Sequence, residues 1–296
     1  MKNFSYIKHR IKSVSDTRKI TGAMETISVA KMRKAAVRYE NNKAYFSAIR
    51  ETISNIILYS RSTEHKVFAK SNGNRTAYIV IASDKGLAGG FNHTILEHAR
   101  ETVTACENAR LFTVGQVCHA YFAACGIEAD GEFADASFDP DVSQAAEMSE
   151  RMYSLFESGQ IDSAYIIYTA YGEHGKMSPE KIRLLPFDRD AVVREKQIGA
   201  AEEAALHELI YEPSADAVLE KLLPQYLTGI VYGALIQSSA SEHSQRRAAM
   251  NNATRNASEI LADLTVEYNR ARQEAVTGEM IEIVTAANGV SYDSGK

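Results

Sequence analysis

The glycine-rich segment at residues 83–90, SDKGLAGG, contains the residue types best suited to chemistry in this chain of 296 residues. It directly follows a short apolar run, residues 77–82, that is typical of a buried parallel strand. Backbone N–H groups in such a turn can hold a phosphate where a helix begins. The turn lacks the GxGxxG spacing of dinucleotide sites and the GxxxxGK[ST] lysine and hydroxyl of a P-loop. We therefore interpret the glycines as a tight strand-to-helix turn and keep a nucleotide-binding α/β enzyme as an alternative.

The other residue types that could carry catalysis or bind a metal show no pattern. The eight histidines include no HExxH pair, and no G-x-S-x-G segment occurs. Cys106, Cys118 and Cys125 lie outside any CxxC spacing, and we expect three reduced thiols. The sequence therefore predicts no catalytic residue, no metal site and no cofactor.

Alternating strands and helices surround the glycine-rich turn. Short apolar runs predict further strands at residues 111–114 and 164–168, and residues 181–185 suggest an edge strand. Helices are expected at residues 95–106, 117–125 and 141–158. This alternation is typical of an open α/β sheet.

Two proline-free segments flank the α/β region and predict unusually long helices. None of the five prolines occurs before Pro140 or after Pro224. The N-terminal segment is interrupted only by Gly22, and about 55 residues would make a helix of roughly 80 Å. Ser214 is the expected N-cap of the C-terminal helix, which Pro224 should kink rather than end. We expect the two helices to pair antiparallel across the inserted domain.

The apolar stripe of the N-terminal helix changes face along its length. Positions 18, 21, 25 and 28 of the heptad pattern are polar, and the apolar residues there are Ile20, Met24 and Ile27. A two-stranded coiled coil keeps one apolar seam throughout. The shift therefore predicts that something else partly encloses this helix. In the C-terminal helix, residues 237–258 are rich in small side chains, which allow two helices to approach closely.

Charge is distributed unevenly between the ends of the chain. Residues 1–50 contain twelve Lys or Arg and three acidic residues, a net charge of +9, whereas the whole chain carries -5. Such asymmetry suggests an acidic partner, a nucleic acid or a membrane surface. Aromatic residues are not interleaved with the basic ones, and the pI of about 6.0 is low for a nucleic-acid binder. A basic coiled-coil protein that binds nucleic acid remains the second alternative.

The sequence contains neither a bilayer-spanning run of about 18 to 20 apolar residues nor a secretory signal at its N-terminus. We therefore expect a cytoplasmic chain without direct lipid insertion.

Motifs in both terminal segments and in the glycine-rich turn resemble those of the gamma subunit of bacterial F-type ATP synthases. The N-terminal helix carries IKHRI at residues 7–11 and TRKITGAM at residues 17–24. The turn extends to SDKGLAGGFN at residues 83–92, and the C-terminal helix carries ASEH at residues 240–243 and YNRARQ at residues 268–273. These motifs have the order and spacing of the family.

This resemblance implies a non-catalytic rotor subunit at the cytoplasmic face of the bacterial membrane. In the family, the paired helices enter a ring of three α and three β subunits. The α/β domain sits with epsilon on the membrane c-ring. The subunit turns with the ion-driven c-ring and changes the conformation of each catalytic β subunit in turn. The basic N-terminal segment would then face acidic loops of the β subunits.

The resemblance also implies individual contact residues. Contacts to the β subunits and the upper collar of the ring are expected at Met24, Arg272, Gln273, Thr277 and Glu279. Two further residues match positions that face the c-ring, namely Tyr211 and Glu212.

The predicted fold class is α/β, a long antiparallel coiled coil of N- and C-terminal helices with an inserted Rossmann-like open α/β domain. We expect coiled-coil helices at residues 1–62 and 212–288, the domain at residues 75–205, and a tail at residues 289–296.

Overall fold

The computed structural model describes residues 4–59, 66–68, 73–133, 136–172, 176–187 and 211–293, with side chains described as far as residue 285. The chain divides into two compact units. The terminal unit combines residues 1–27 and 247–296, and the central unit comprises residues 28–246. Residues 188–205, which the sequence assigns to the α/β domain, lie outside the described residues.

Five α-helices and five strands are described. The helices are α1 (Phe4–Tyr59), α2 (Phe91–Thr104), α3 (Gln116–Ala124), α4 (Val142–Glu157) and α5 (Ala215–Asp293). The strands are β1 (Arg75–Ile81), β2 (Asn108–Val114), β3 (Gly131–Phe133), β4 (Ser163–Tyr171) and β5 (Met177–Leu185). A short 3-10 helix covers Lys66–Phe68.

The five strands form one sheet in the order β3-β2-β1-β4-β5. The first four are parallel to their neighbours, and β5 pairs antiparallel with β4 at the edge. The strand order 3-2-1-4 is that of a doubly wound Rossmann-like half, so the predicted fold class is confirmed. The edge strand expected at residues 181–185 is the second half of β5. The sequence did not predict β3, because three residues are too few to show a period.

Successive residues of β1 belong to two different cores. Ala77, Ile79 and Ile81 join a core with residues of α1, α4 and α5, whereas Tyr78 and Val80 join a core with residues of α2 and α3. Side chains alternate between the two faces of a strand. A strand with both faces covered reads as a continuous apolar run, as residues 77–82 do.

In the central unit, α5 begins at the predicted cap and packs closely on the sheet. The Ala217 amide donates to the Ser214 hydroxyl at 3.2 Å, and the helix continues through Pro224. Further along, the buried Ser241 hydroxyl donates to the Thr169 carbonyl of β4 at 3.2 Å. The small residues of this part of α5 therefore let the helix backbone approach the sheet.

In the terminal unit, α1 and α5 pair antiparallel. The rings of Phe4 and Tyr268 stack with centroids 4.7 Å apart, and the hydroxyls of Thr21 and Thr254 lie 2.7 Å apart. Thr21 is buried, whereas Ile20 is 60% exposed. The contact line between α1 and α5 thus passes through the polar Thr21, and the neighbouring Ile20 points away from α5.

Candidate functional site

Four of the predicted contact residues lie together on α5 in the terminal unit. Arg272, Gln273, Thr277 and Glu279 are all exposed, and the Thr277 hydroxyl donates to the Gln273 carbonyl at 2.8 Å. They occupy about two helical turns. Their side chains therefore face solvent and are accessible to another surface.

Large apolar side chains accompany these four residues on the same helix. Val276 is 49% exposed, Met280 61%, Ile283 68% and Val284 58%. Single exposed apolar residues are ordinary, but a continuous group of them marks an interaction surface. In the described part of the chain, no helix is long and apolar enough to cross a bilayer.

Met24 lies at a different level of the terminal unit. It is half-buried on α1, next to Glu25, whose carboxylate accepts a hydrogen bond from Asn251 at 3.0 Å. Along α5, Asn251 and Gln273 are separated by 22 positions, roughly 33 Å of helix. The structure therefore does not bring Met24 together with the other four contact residues.

Tyr211 and Glu212, the residues expected to face the c-ring, belong to the central unit. Tyr211 is half-buried against the core that α1, α4 and α5 share, and Glu212 is exposed. A cis peptide bond joins Glu212 to Pro213 just before α5 begins. Of the two, Glu212 is the more exposed.

Basic side chains cover the part of α1 that belongs to the terminal unit. Lys8, Arg10, Lys12, Arg18 and Lys19 are all exposed. This segment gives the unit a positively charged face, which suits an acidic protein surface.

Internal hydrogen bonds hold Ser83 and Asp84, the first two residues of the glycine-rich turn. The Ser83 amide donates to Asn92 Oδ1 at 3.1 Å. One Asp84 carboxylate oxygen accepts from the Gln116 amide at 3.1 Å, and the other accepts from the Ser137 hydroxyl at 2.6 Å. The turn is thus fastened to its neighbours rather than organised around a ligand.

Arg246 of α5 holds the same turn from the other side. Its guanidinium donates to the carbonyls of Lys85 and Gly86 at 3.0 and 3.2 Å, and it pairs with Glu242 at 2.6 Å. Both charged residues are buried. Burial raises the pKa of Glu242, and Arg246 opposes that rise. The sequence signal for this contact is a charged i,i+4 pair within a run of small residues.

Among the described residues, no group of three or more histidine, cysteine, aspartate or glutamate side chains could hold a metal ion. The candidate functional site is instead the helix pair of the terminal unit, with its exposed basic and apolar side chains.

Comparison with known proteins identifies the family. A family model described as ATP synthase matches residues 3–290. The ATP synthase gamma chain of Alkaliphilus metalliredigens is 35% identical over 285 residues, which covers 96% of this chain and 97% of that protein. The chain belongs to the ATP synthase gamma-chain family.

Another gamma chain, described as sodium ion specific, comes from Acetobacterium woodii. It is 36% identical over 299 residues and covers 98% of this chain and 99% of its own length. A chain with a similar fold is found in a solved structure of the mitochondrial ATP synthase of Euglena gracilis, described as OSCP/F1/c-ring in rotational state 3. It has a TM-score of 0.69 at 19% identity and covers 99% of this chain and 96% of that chain.

Proposed function

We propose that this chain is the central rotor stalk of a bacterial ATP synthase. It couples ion-driven rotation of the c-ring to conformational cycling of the catalytic β subunits, in ATP synthesis or hydrolysis. The observation that carries this proposal is the similarity to gamma chains over nearly the whole length of the chain. As a gamma chain, it is a non-catalytic subunit of the complex.

Rotation does work if the stalk offers a different surface to each β subunit in turn. A ligand shifts a conformational equilibrium only by its differential affinity for the two states, and the same holds for a stalk surface. The terminal unit supports this mechanism, because one side of α1 is exposed and basic while α5 carries exposed apolar residues around Met280. The work is transmitted as differences in contact energy, without bond chemistry on this chain.

We infer that its partners are three α and three β subunits, one epsilon subunit and the c-ring, at the cytoplasmic face of the cell membrane. The Euglena neighbour comes from an assembly whose description names F1 and the c-ring, which supports this set of partners. The predicted division into two coiled-coil helices and a domain at residues 75–205 is part of the same proposal.

Affinity purification from the native organism tests the assignment. A tagged chain should bring down α, β and epsilon subunits at about three, three and one per chain. Recovery of the chain alone, or with a different set of subunits at a fixed ratio, would contradict the proposal.

The contact residues are proposed on the family match, with Arg272, Gln273, Thr277 and Glu279 near the end of α5 and Met24 further along the pair. Tyr211 and Glu212 are proposed to face the c-ring. The exposure of most of these residues supports both assignments, because a contact residue must be accessible before assembly.

Substitution of Met24 tests the contact to the β subunits. Met24→Lys adds a charge to a half-buried position, and we expect membranes with this variant to hydrolyse ATP while pumping fewer ions per ATP. Thr26→Lys, at an exposed position two residues away, adds the same charge and should leave the coupling ratio unchanged. An unchanged ratio in Met24→Lys membranes would remove Met24 from the contact surface.

A further inference from the structure

In the terminal unit, α5 extends beyond the beginning of α1. Within the described residues α1 begins at Phe4, whose ring stacks on that of Tyr268. Because the two helices are antiparallel, α5 passes the first turn of α1 near this contact and continues to Asp293. Residues 269–285, the distal segment of α5, are the part of this continuation whose side chains are described. The distal segment is roughly 25 Å long, so most of it lies beyond the start of α1.

No side chain of the distal segment is buried. All of its residues are exposed except Ala271 and Gly278, which are half-buried. An open groove of about 760 Å³ is lined by Phe4 and Ile7 of α1 and by α5 as far as Glu282. In proteins, most of the stability of a helix comes from the packing of an apolar face rather than from helix propensity. The distal segment lacks that contribution in the free chain.

The polar contacts of the distal segment are local. Arg270 pairs with Glu274 at 3.0 Å, and the Thr277 hydroxyl donates to the Gln273 carbonyl at 2.8 Å. Both contacts join residues four positions apart, and an exposed ion pair of this kind contributes little to stability. Among the described residues, these contacts do not fasten the segment to α1 or to the rest of α5.

The second half of the distal segment has a composition that disfavours helix. Residues 276–285, VTGEMIEIVT, are mostly β-branched side chains and include Gly278. β-Branched residues are restricted at χ1 in a helix, and glycine is the poorest helix former after proline. The last turn of α5 has no basic residue, although a positive charge there would interact favourably with the helix dipole. Neither packing nor composition therefore holds these turns in place.

The distal segment continues a helix that is already formed. Ala257 and Leu264 are buried in the preceding turns of α5, at 5% and 6% exposure. Nucleation is the unfavourable step in helix formation, and extension of an existing helix adds one hydrogen bond for each residue that is fixed. The segment should therefore open from its C-terminal end while the paired part of α5 stays helical.

We infer that the distal segment folds on binding. In the free chain it exchanges between helix and coil, and it becomes a fixed helix when α and β subunits enclose it. Enclosure would remove the exposed side chains of Val276, Met280 and Ile283 from water, which offsets the entropy lost in ordering the segment. Opening in the free chain follows from this chain alone, whereas ordering by α and β subunits rests on the proposed function.

Hydrogen–deuterium exchange of the purified full chain, followed by mass spectrometry, tests the opening. Amides of the distal segment should exchange within about tenfold of the rate of an unstructured peptide. Amides of β1 and β4, which lie in the buried sheet, should exchange at least about a thousandfold more slowly than that peptide. Exchange in the distal segment as slow as in β1 would overturn the inference.

Gly278→Ala changes the helix propensity of the distal segment without a steric conflict, since a Cβ there would meet nothing within 4 Å. It should slow exchange at residues 276–285 about fivefold, the factor by which alanine exceeds glycine in a helix. Gly22→Ala is the matched control, because a Cβ at Gly22 of α1 also has open space. It should leave exchange in the distal segment unchanged. Equal slowing by both substitutions, or no slowing by Gly278→Ala, would contradict local opening.

The same measurement on the purified complex tests the ordering. In a complex that contains α and β subunits, exchange in the distal segment should be at least about a hundredfold slower than in the free chain. A complex in which the segment still exchanges rapidly would overturn folding on binding. If no α and β subunits were recovered with the chain, the proposed function would be contradicted instead. Exchange in the free chain would still decide whether the segment opens.

Discussion

Arg246 is a buried charged residue with at least three polar contacts. It neutralises a buried carboxylate and fills two carbonyl acceptors of the glycine-rich turn. Arg246→Met leaves Glu242 buried without a partner, which costs about 3–5 kcal/mol in the free energy of unfolding. Urea denaturation of the full chain, followed by circular dichroism, measures this cost.

Arg270→Met is the matched control for this prediction. Arg270 also pairs with a glutamate four residues away, Glu274, at 3.0 Å, but the two side chains are 82% and 60% exposed. Such an exposed pair contributes about 0 to 1 kcal/mol. If both substitutions changed the unfolding free energy equally, Arg246 would not be holding the turn.

Helices and strands were the most predictable level of the structure. The long helices followed from the absence of proline, and β1, β2 and β4 followed from apolar runs that both cores require. The seam of α1 was harder, because burial of Thr21 and exposure of Ile20 reverse what side-chain polarity predicts. Polarity alone therefore does not reveal a seam that runs through a buried threonine while the neighbouring isoleucine is exposed.

Close packing of α5 on α1 in the central unit depends on Gly229. A Cβ at this position would lie 2.1 Å from Phe46 Cδ1, far inside van der Waals contact. We expect Gly229→Ala to lower the unfolding free energy by about 1–3 kcal/mol, because overpacking outweighs the helix propensity of alanine. Thermal or urea unfolding of the full chain measures the change.

Gly233, one helical turn further along α5, provides the opposite case. A Cβ there would meet nothing within 4 Å. Gly233→Ala should therefore raise the unfolding free energy by about 1 kcal/mol, the ordinary propensity difference in a helix. Changes of the same sign in both variants would show that contact with Phe46 does not decide the effect at Gly229.

At the scale of the whole molecule, a contact could be found from sequence only where its residues lie close together along the chain. The proposed contact residues near the end of α5 lie within one short segment, so a family motif could mark them. The contact of Arg246 with the glycine-rich turn, by contrast, joins two segments that only the fold brings together. Arg246 follows Gly86 by 160 positions, and no sequence relation predicts their proximity.

The exposed apolar residues near the end of α5 lead to a prediction that separates the isolated chain from the assembled complex. Ile283 is 68% exposed, so Ile283→Asp should change the unfolding free energy of the isolated chain by no more than about 0.5 kcal/mol. In a complex that encloses this helix, the same aspartate would be buried without a partner, at a cost of several kcal/mol. Co-purified α and β subunits should then decrease relative to the parent chain. Ser258→Asp adds the same charge at an exposed polar position of α5 and should leave their recovery unchanged. Because the substitution is silent in the free chain, full recovery of α and β with Ile283→Asp would mean that the complex does not enclose this end of the helix.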